Sequence, residues 1–154
     1  MQRWAGFLSL AAATTALLAL AVAAPVEDGK AAFERRQDTM KRVGRPFYVG
    51  VGRVVKGTAA YGPDTVTAAQ TVASLAGTLD WALFPRGSDV AESRIKPEIF
   101  VAQEHLDQLI AAVKTATAQL VPAVKTSDRT AIAAAYAAVN DACNACHKGF
   151  RKEE

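Results

Sequence analysis

The stretch of residues 127–150, SDRTAIAAAYAAVNDACNACHKGF, decides the fold class of this 154-residue chain. Its larger side chains recur at steps of three and four residues, which is the spacing of one face of an α-helix. Ser127 can cap that helix, because a serine hydroxyl accepts a hydrogen bond from a backbone N–H of the first turn. The face consists of Ile132, Tyr136, Val139, Cys143, Cys146 and Phe150. We therefore predict an amphipathic helix that packs against other helices.

The first half of the chain carries the same periodicity twice. The first helical segment has a seam that faces a bundle interior, made of Phe33, Gln37, Met40, Gly44, Phe47, Val51 and Val54. The first helix is predicted to end at Gly57 and Gly62-Pro63. Asp64 can cap a second helical segment that runs to Leu83. The buried face of this second segment is predicted to hold Ala69, Val72, Ala76, Leu79 and Leu83.

A loop and a third helix connect these segments to residues 127–150. Turn-forming residues between Pro85 and Lys96 predict the loop. Pro97 suits the first position of the third helix, and Pro122 ends or kinks that helix near its close. Its predicted buried face holds Ile99, Leu106, Ile110, Val113 and Leu120. Four amphipathic helices without a strand pattern predict an all-α fold, an antiparallel up-down four-helix bundle, whose interior is a usual place for a cofactor.

The last helix contains a short motif with its own chemistry, Cys143-Asn144-Ala145-Cys146-His147. C-x-x-C-H is the attachment sequence for a c-type haem. On a helix, residues three and four apart share a face, so both thiols can reach the two vinyl groups of one porphyrin. His147 then directs an imidazole nitrogen at the iron. The motif therefore predicts one covalent haem c inside the bundle, with Cys143 and Cys146 as thioethers and His147 as the proximal iron ligand.

Other uses of two nearby cysteines are a redox dithiol, half of a zinc site or a disulfide. A zinc site needs more thiol or imidazole ligands, yet the chain has two cysteines and, besides His147, only His105. A thioredoxin-like dithiol opens a helix early in a βαβ unit, whereas this pair stands at the tail of a helical pattern. Haem attachment is the interpretation that the sequence favours.

The N-terminus is typical of a secretory signal peptide. Arg3 supplies a positive charge, the run from Ala5 to Ala23 is uncharged, and small residues precede a cleavage site before Ala24. The alternative is a membrane anchor, but the alanine-rich composition and the following Pro25 favour removal. We therefore predict that residues 1–23 are removed, that 24–154 form a single bundle domain without a stable membrane anchor, and that the protein resides in a bacterial periplasm.

The charge of the chain gives no indication of a nucleic-acid partner. The formal net charge of +3 falls to +2 when Arg3 is removed with the signal peptide. The basic residues are scattered and are not interleaved with aromatic residues, as they would be on a nucleic-acid surface. We expect a protein that does not bind nucleic acid.

The chain resembles the class II cytochromes c, the cytochrome c′ family, and cytochrome c′ is itself a standard example of this bundle architecture. The resemblance covers essentially residues 27–152. The stretches that carry it are Arg36-Gln37 followed by Met40, Phe84 to Asp89, Lys96 to Phe100, and Cys143 to His147 followed by Phe150-Arg151.

This resemblance implies positions for four residues near the haem edge and its propionates, namely Arg36, Gln37, Ser88 and Asp89. It also implies that Arg151 passes by the proximal imidazole. The alternative for Arg36, Ser88 and Asp89 is that they are ordinary solvated residues. His105 has polar neighbours in the sequence and is expected at the surface.

Met40 decides between two functions that the resemblance leaves open. In this family the same position is sometimes a ligating methionine of a low-spin electron carrier and sometimes a residue that leaves the iron five-coordinate. The first case implies one-electron transfer with redox partner proteins, and the second implies binding of NO or CO with Met40 only packing. No interior histidine is available as an acid or base, so we expect no enzyme and no catalytic residue. The resemblance also implies a homodimer, because the family often forms dimers.

Overall fold

The computed structural model describes residues 28–153, and the predicted signal peptide therefore lies outside the described residues. A π-helical turn, Pro46–Val51, joins α1 to α2 without a break, so that residues 29–55 form one long helix. The α-helices of the described part are α1 (Gly29–Arg45), α2 (Gly52–Val55), α3 (Pro63–Gly77), α4 (Gln103–Lys125) and α5 (Arg129–Phe150).

The long helix, α3, α4 and α5 form the predicted antiparallel four-helix bundle. α4 packs against both α3 and α5, and the long helix packs against α3. Within residues 28–153 the extended pairing is limited to one isolated bridge between Ile95 and Arg151. In this same range no helix is long and apolar enough to cross a membrane.

The core of the bundle divides into two clusters of buried side chains. Cys146 packs against the first cluster and Cys143 against the second, so the C-x-x-C-H motif lies where the two clusters meet. The first cluster consists of Ala76, Leu79, Leu83, Phe84, Ile95, Ile99, Phe100, Leu106, Ile110, Val113 and Phe150. The second consists of Val43, Phe47, Val51, Ala69, Val72, Ala116, Leu120, Val124, Ile132 and Val139. Every residue predicted for the buried faces of the second and third segments is buried.

The second helix differs from its prediction at both ends. Its N-cap is Gly62 and Pro63 is its first residue, so Asp64 lies inside the first turn and is not the cap. The helix ends at Gly77, not at Leu83. The physical reason is local: the carboxylate of Asp80 accepts a hydrogen bond from Ala82 N at 3.0 Å and starts a separate 3₁₀ turn, Trp81–Leu83.

The third helix begins later and ends later than predicted. Pro97 opens a 3₁₀ turn, Pro97–Phe100, and the α-helix starts only at Gln103. Pro122 does not end α4, which continues to Lys125. Proline lacks an N–H and therefore removes one bond of the helical ladder, but the remaining bonds and the burial of Val124 keep the last turn helical.

The cap of the last helix is Asp128, one residue after the predicted Ser127. The Asp128 carboxylate accepts a hydrogen bond from Thr130 N at 2.8 Å. Ser127 has a φ of 59°, so it lies in the left-handed region that non-glycine residues rarely adopt. Ser127 therefore forms the tight turn between α4 and α5 and does not cap α5.

Candidate haem site

Two adjoining cavities lie between the long helix and α5, with volumes of about 520 Å³ and 110 Å³. The larger, outer cavity is open to solvent and has polar and charged residues in its lining, whereas the inner cavity is almost entirely apolar. Together they form one crevice, because five residues line both of them: Met40, Tyr48, Phe84, Cys146 and His147. The predicted cofactor site is therefore a crevice at the interior of the bundle.

The last turns of α5 bring the three motif residues to this crevice. Cys143 lines the inner cavity, and Cys146 and His147 line both cavities. The helical spacing of three and four residues places them on one face of α5, as the sequence predicts. Cys143 and Cys146 are not joined by a disulfide and are partly exposed. Both thiols are therefore available for thioether bonds at a single group in the crevice.

The electrostatics of these residues fit haem attachment better than a redox dithiol. Burial raises the pKa of both the Cys143 thiol and the Cys146 thiol, whereas a reactive dithiol has a lowered pKa. Burial lowers the pKa of His147, and the nearby positive charge of Arg151 lowers it further. The imidazole is therefore held neutral, which is the form that has a lone pair for iron.

Met40 reaches the same crevice from the opposite side. It lies on α1, is half-buried, packs against the first core cluster and lines both cavities together with His147. Gly44 follows one turn later and lines the inner cavity without a side chain. An apolar slot with a histidine on one helix and a thioether on the facing helix fits a flat porphyrin, so the residues present fit the predicted haem.

Arg36 is buried, with 5% of its surface exposed, and lines the outer cavity. Its guanidinium donates hydrogen bonds to Ser88 Oγ at 3.0 Å and to the Ser88 carbonyl at 2.9 Å. Ser88 is completely buried. The alternative that these two are ordinary solvated residues is therefore wrong for this pair.

The other three residues that the resemblance places near the haem differ in how closely they approach the crevice. Gln37 lines the outer cavity but is exposed, so its place on the seam is at the mouth of the crevice and not in the interior. Asp89 is exposed and does not line either cavity. Arg151 lines the outer cavity close to His147, as implied. His105 is exposed, as expected, with its ring 5.7 Å from that of Phe150.

Among the crevice residues that the sequence did not indicate are Tyr48, Phe84 as a lining residue, and Ser93. Tyr48 lines both cavities although 47% of its surface is exposed, and its ring lies edge-on to Phe47 with centroids 4.9 Å apart. Its position eight residues after Met40, on the same side of a helix, was the available signal. Ser93 lies in a loop and has no such periodic signal.

Comparison with known proteins agrees with this geometry. The family model described as Cytochrome C′ matches residues 31–151. A cytochrome c′ from Alcaligenes xylosoxydans xylosoxydans is 31% identical over 101 residues, which cover 66% of this chain and 78% of that protein.

Two solved structures of cytochrome c′ variants from Alcaligenes xylosoxidans have the same fold. One, with carbon monoxide bound, is 26% identical with a TM-score of 0.71 and covers 82% of this chain and 98% of its own. The other, a nitric oxide complex, is 25% identical with a TM-score of 0.72 and covers 84% of this chain and 99% of its own. Four helices around a crevice, the motif at the end of the last helix and these similarities lead to one conclusion: the chain belongs to the cytochrome c′ family, whose members carry a covalent haem c.

Proposed function

We propose that this protein is a periplasmic one-electron carrier in which Met40 is the sixth ligand of the haem iron. The observation that carries the proposal is that Met40 on α1 and His147 on α5 line the same two cavities from facing helices. A bound haem would supply one-electron redox chemistry, and a thioether ligand from Met40 would favour its ferrous state and raise the reduction potential.

The protein's own residues would support electron transfer in two ways. The apolar lining of the inner cavity excludes water, which limits the solvent rearrangement that accompanies a change of charge. The neutral His147 imidazole needs no proton release before it binds iron. The outer cavity is open at one side, so a redox partner protein could approach the crevice there.

A second candidate function is the binding of NO or CO at an iron face that Met40 leaves unligated. The observation that favours it is that related solved structures of cytochrome c′ contain carbon monoxide or nitric oxide. The inner cavity is small and apolar, which suits a neutral diatomic gas. In this case Met40 would only pack in the crevice, as its contacts with the first core cluster allow.

The substitution Met40→Ala distinguishes the two functions. If Met40 is a ligand, the wild-type spectrum is low-spin, and the variant becomes high-spin, has a lower reduction potential and binds CO at least tenfold faster. Optical spectra of both redox states and CO association rates measure this. The control is Leu109→Ala, which removes another half-buried side chain that lines the inner cavity and should leave the spin state unchanged. A wild-type protein that is already high-spin would contradict the carrier and support the gas-binding function.

The remaining parts of the proposal concern location and partners. We propose export to a bacterial periplasm, consistent with the predicted signal peptide, since thiols that receive haem outside the cytoplasm must be exported first. We also propose that the protein is not an enzyme and that it binds redox partner proteins but no nucleic acid. Tyr48 and Val49 expose 47% and 51% of their surfaces on the long helix and would suit a homodimer interface. Sedimentation of the holoprotein, with charge substitutions at these two positions, tests the dimer.

A further inference from the structure

The solvent side of the long helix carries a concentration of positive charge. Between Asp38 and Asp64 the chain has five basic residues and no acidic one, and all five are exposed. One of them, Arg42, forms an ion pair with Asp38, with Nη1 3.8 Å from Oδ2. The other four share one side of the helix with two exposed apolar residues. This side, the basic face, consists of Lys41, Arg45, Tyr48, Val49, Arg53 and Lys56.

The geometry of the long helix aligns the members of the basic face. They recur every three or four residues, and residues at these spacings are neighbours on a helix surface. The π-helical turn Pro46–Val51 closes i→i+5 hydrogen bonds and therefore takes more residues per turn than an α-helix. It keeps positions four apart above one another, whereas they would drift around the axis of a purely α-helical segment. Basic residues that are scattered along the sequence thus form one stripe.

The helices that flank the long helix bring little negative charge to this stripe. α3 packs against the long helix, and Asp64 in its first turn is its one charged residue. α5 contacts the long helix through the ring of Tyr136, which stacks on Phe47. Residues 130–140 of α5 are uncharged. The potential over the basic face is therefore positive along its whole length.

The basic face is continuous with the opening of the crevice. Lys41 and Tyr48 belong to the face and also line the outer cavity. Four large apolar side chains are exposed within residues 28–153, and two of them, Tyr48 and Val49, lie side by side in the middle of the face. A molecule that covers the face therefore contacts the rim of the crevice, which is the position that a partner in electron transfer requires.

A membrane surface does not suit this face. A helix that binds at a lipid interface inserts a broad apolar side below the headgroups. The apolar side of the long helix is instead buried in the bundle, where Phe47, Val51 and Val54 are at most 4% exposed. Only Tyr48 and Val49 remain on the outside, and the residues around them are charged.

A second copy of the chain also suits the face poorly. A two-fold interface places the same surface of both subunits against itself, so the basic side chains of one copy would oppose those of the other. Tyr48 and Val49 considered alone would suit a second copy, but the charges around them oppose it. A partner with clustered carboxylates satisfies both features, because it neutralises the basic side chains and covers the two apolar ones.

We propose that the basic face docks an acidic redox partner protein beside the crevice. The proposal rests on the proposed electron-carrier function and specifies the chemistry of the partner, namely a protein whose docking surface carries clustered Asp and Glu side chains. Because the basic side chains are exposed, they steer such a partner at long range, and salt screens the attraction. The complex is therefore expected to be transient and sensitive to ionic strength.

The experiment uses the holoprotein with a small acidic blue-copper protein as the probe, both oxidised so that no electron passes. Titration calorimetry at an ionic strength of about 20 mM measures the Kd. We expect Arg45→Glu to weaken binding about tenfold and Arg45→Gln to weaken it by a smaller factor. The matched control is Lys114→Glu, which makes the same charge reversal on α4, a helix that packs against α3 and α5. It should change the Kd less than about twofold.

Cross-linking locates the docked probe without any substitution. A carbodiimide joins a carboxylate of the probe to a nearby lysine through an amide bond, with loss of water, and mass spectrometry identifies the lysine. We expect Lys41 and Lys56 to be joined to the probe at low ionic strength and to be released from cross-linking at about 500 mM salt. Cross-links confined to Lys96, Lys148 and Lys152, near the end of α5, would place the probe elsewhere and overturn the proposal.

Three further results would overturn the proposal. The first is an equal Kd for Arg45→Glu and Lys114→Glu, and the second is a homodimer, measured by sedimentation, that excludes the probe. The third is binding to phosphatidylglycerol vesicles, lost in Arg45→Glu, without binding to the probe. Failure of the carrier function is visible separately, as a high-spin wild-type spectrum, and leaves these binding measurements intact. Arg45 does not line the crevice, so Arg45→Glu should retain the wild-type spectrum.

Discussion

The two walls of the crevice are built in different ways. On the α5 wall, Cys143, Cys146 and His147 lie within five consecutive residues, and one helix sets their spacing. On the facing wall, Met40 and Arg36 come from α1, whereas Phe84 and Ser93 come from a loop about 50 residues later that hydrogen bonds to Arg36 hold in place. A short stretch of sequence therefore sets the attachment of the haem, whereas the surroundings of the opposite haem face depend on tertiary contacts.

The largest expected effect is the loss of covalently bound haem when the two thiols of α5 are removed. The double variant Cys143→Ala/Cys146→Ala should contain no haem that survives denaturation, because no thioether can form. Mass spectrometry after acid-acetone extraction measures the retained haem. Cys143→Ala alone should keep a single thioether and mature poorly. Haem retained by the denatured double variant would contradict the assignment of the attachment site.

The next effect concerns the proximal ligand on the same wall. His147→Ala should change the optical spectrum in both redox states, because the imidazole bond to iron is lost. The matched control is His105→Ala, which removes the chain's other histidine, an exposed residue whose ring lies 5.7 Å from Phe150. A changed spectrum in His105→Ala, or an unchanged one in His147→Ala, would show that the wrong histidine has been assigned.

Two glycines, one on the long helix and one on α5, test how closely these helices approach each other. A Cβ at Gly52 would lie 2.8 Å from Tyr136 Oη, and Tyr136 is held by stacking on Phe47 at 4.3 Å. Gly52→Ala should therefore lower the free energy of unfolding by about 1–3 kcal/mol. Gly149→Ala in α5 meets no atom within 4 Å and should raise it by up to about 1 kcal/mol through helix propensity. Urea unfolding measures both, and equal stabilities would contradict the close approach of the long helix to α5.

The smallest expected effect is on the free energy of unfolding, and it tests which residue caps the N-terminus of α5. Asp128→Ala removes the hydrogen bond to Thr130 N and should lower the free energy of unfolding by about 1 kcal/mol. Ser127→Ala should change it by less than about 0.5 kcal/mol, since the Ser127 side chain does not cap the helix. Urea unfolding of the two variants in parallel gives the difference. A larger loss of unfolding free energy in Ser127→Ala than in Asp128→Ala would show that Ser127 caps the helix, as the sequence predicted.

Most of the fold could be predicted because buried side chains repeat along the sequence with the helical period. The boundaries were less accurate, since they depend on single hydrogen bonds. Asp80 starts a 3₁₀ turn where periodicity alone extended α3, and Asp128 replaces Ser127 as a cap because Ser127 is needed in the turn. Leu79 and Leu83 are buried as predicted although they lie outside the helix, because burial depends on where a side chain points and not on the helix that carries it.

The sequence by itself determined the helical bundle, the attachment motif and the side of α5 that faces the cofactor, because a helix converts a spacing of three and four residues directly into a shared face. Apart from Met40, which the sequence already placed on the interior seam of the first helix, the tertiary structure decided which side chains surround that motif. It buried Arg36 against Ser88 and Ser93, brought Phe84 into the crevice, and left Asp89 outside it. These positions depend on contacts between residues far apart in the chain, and no periodic pattern in the sequence encodes such contacts.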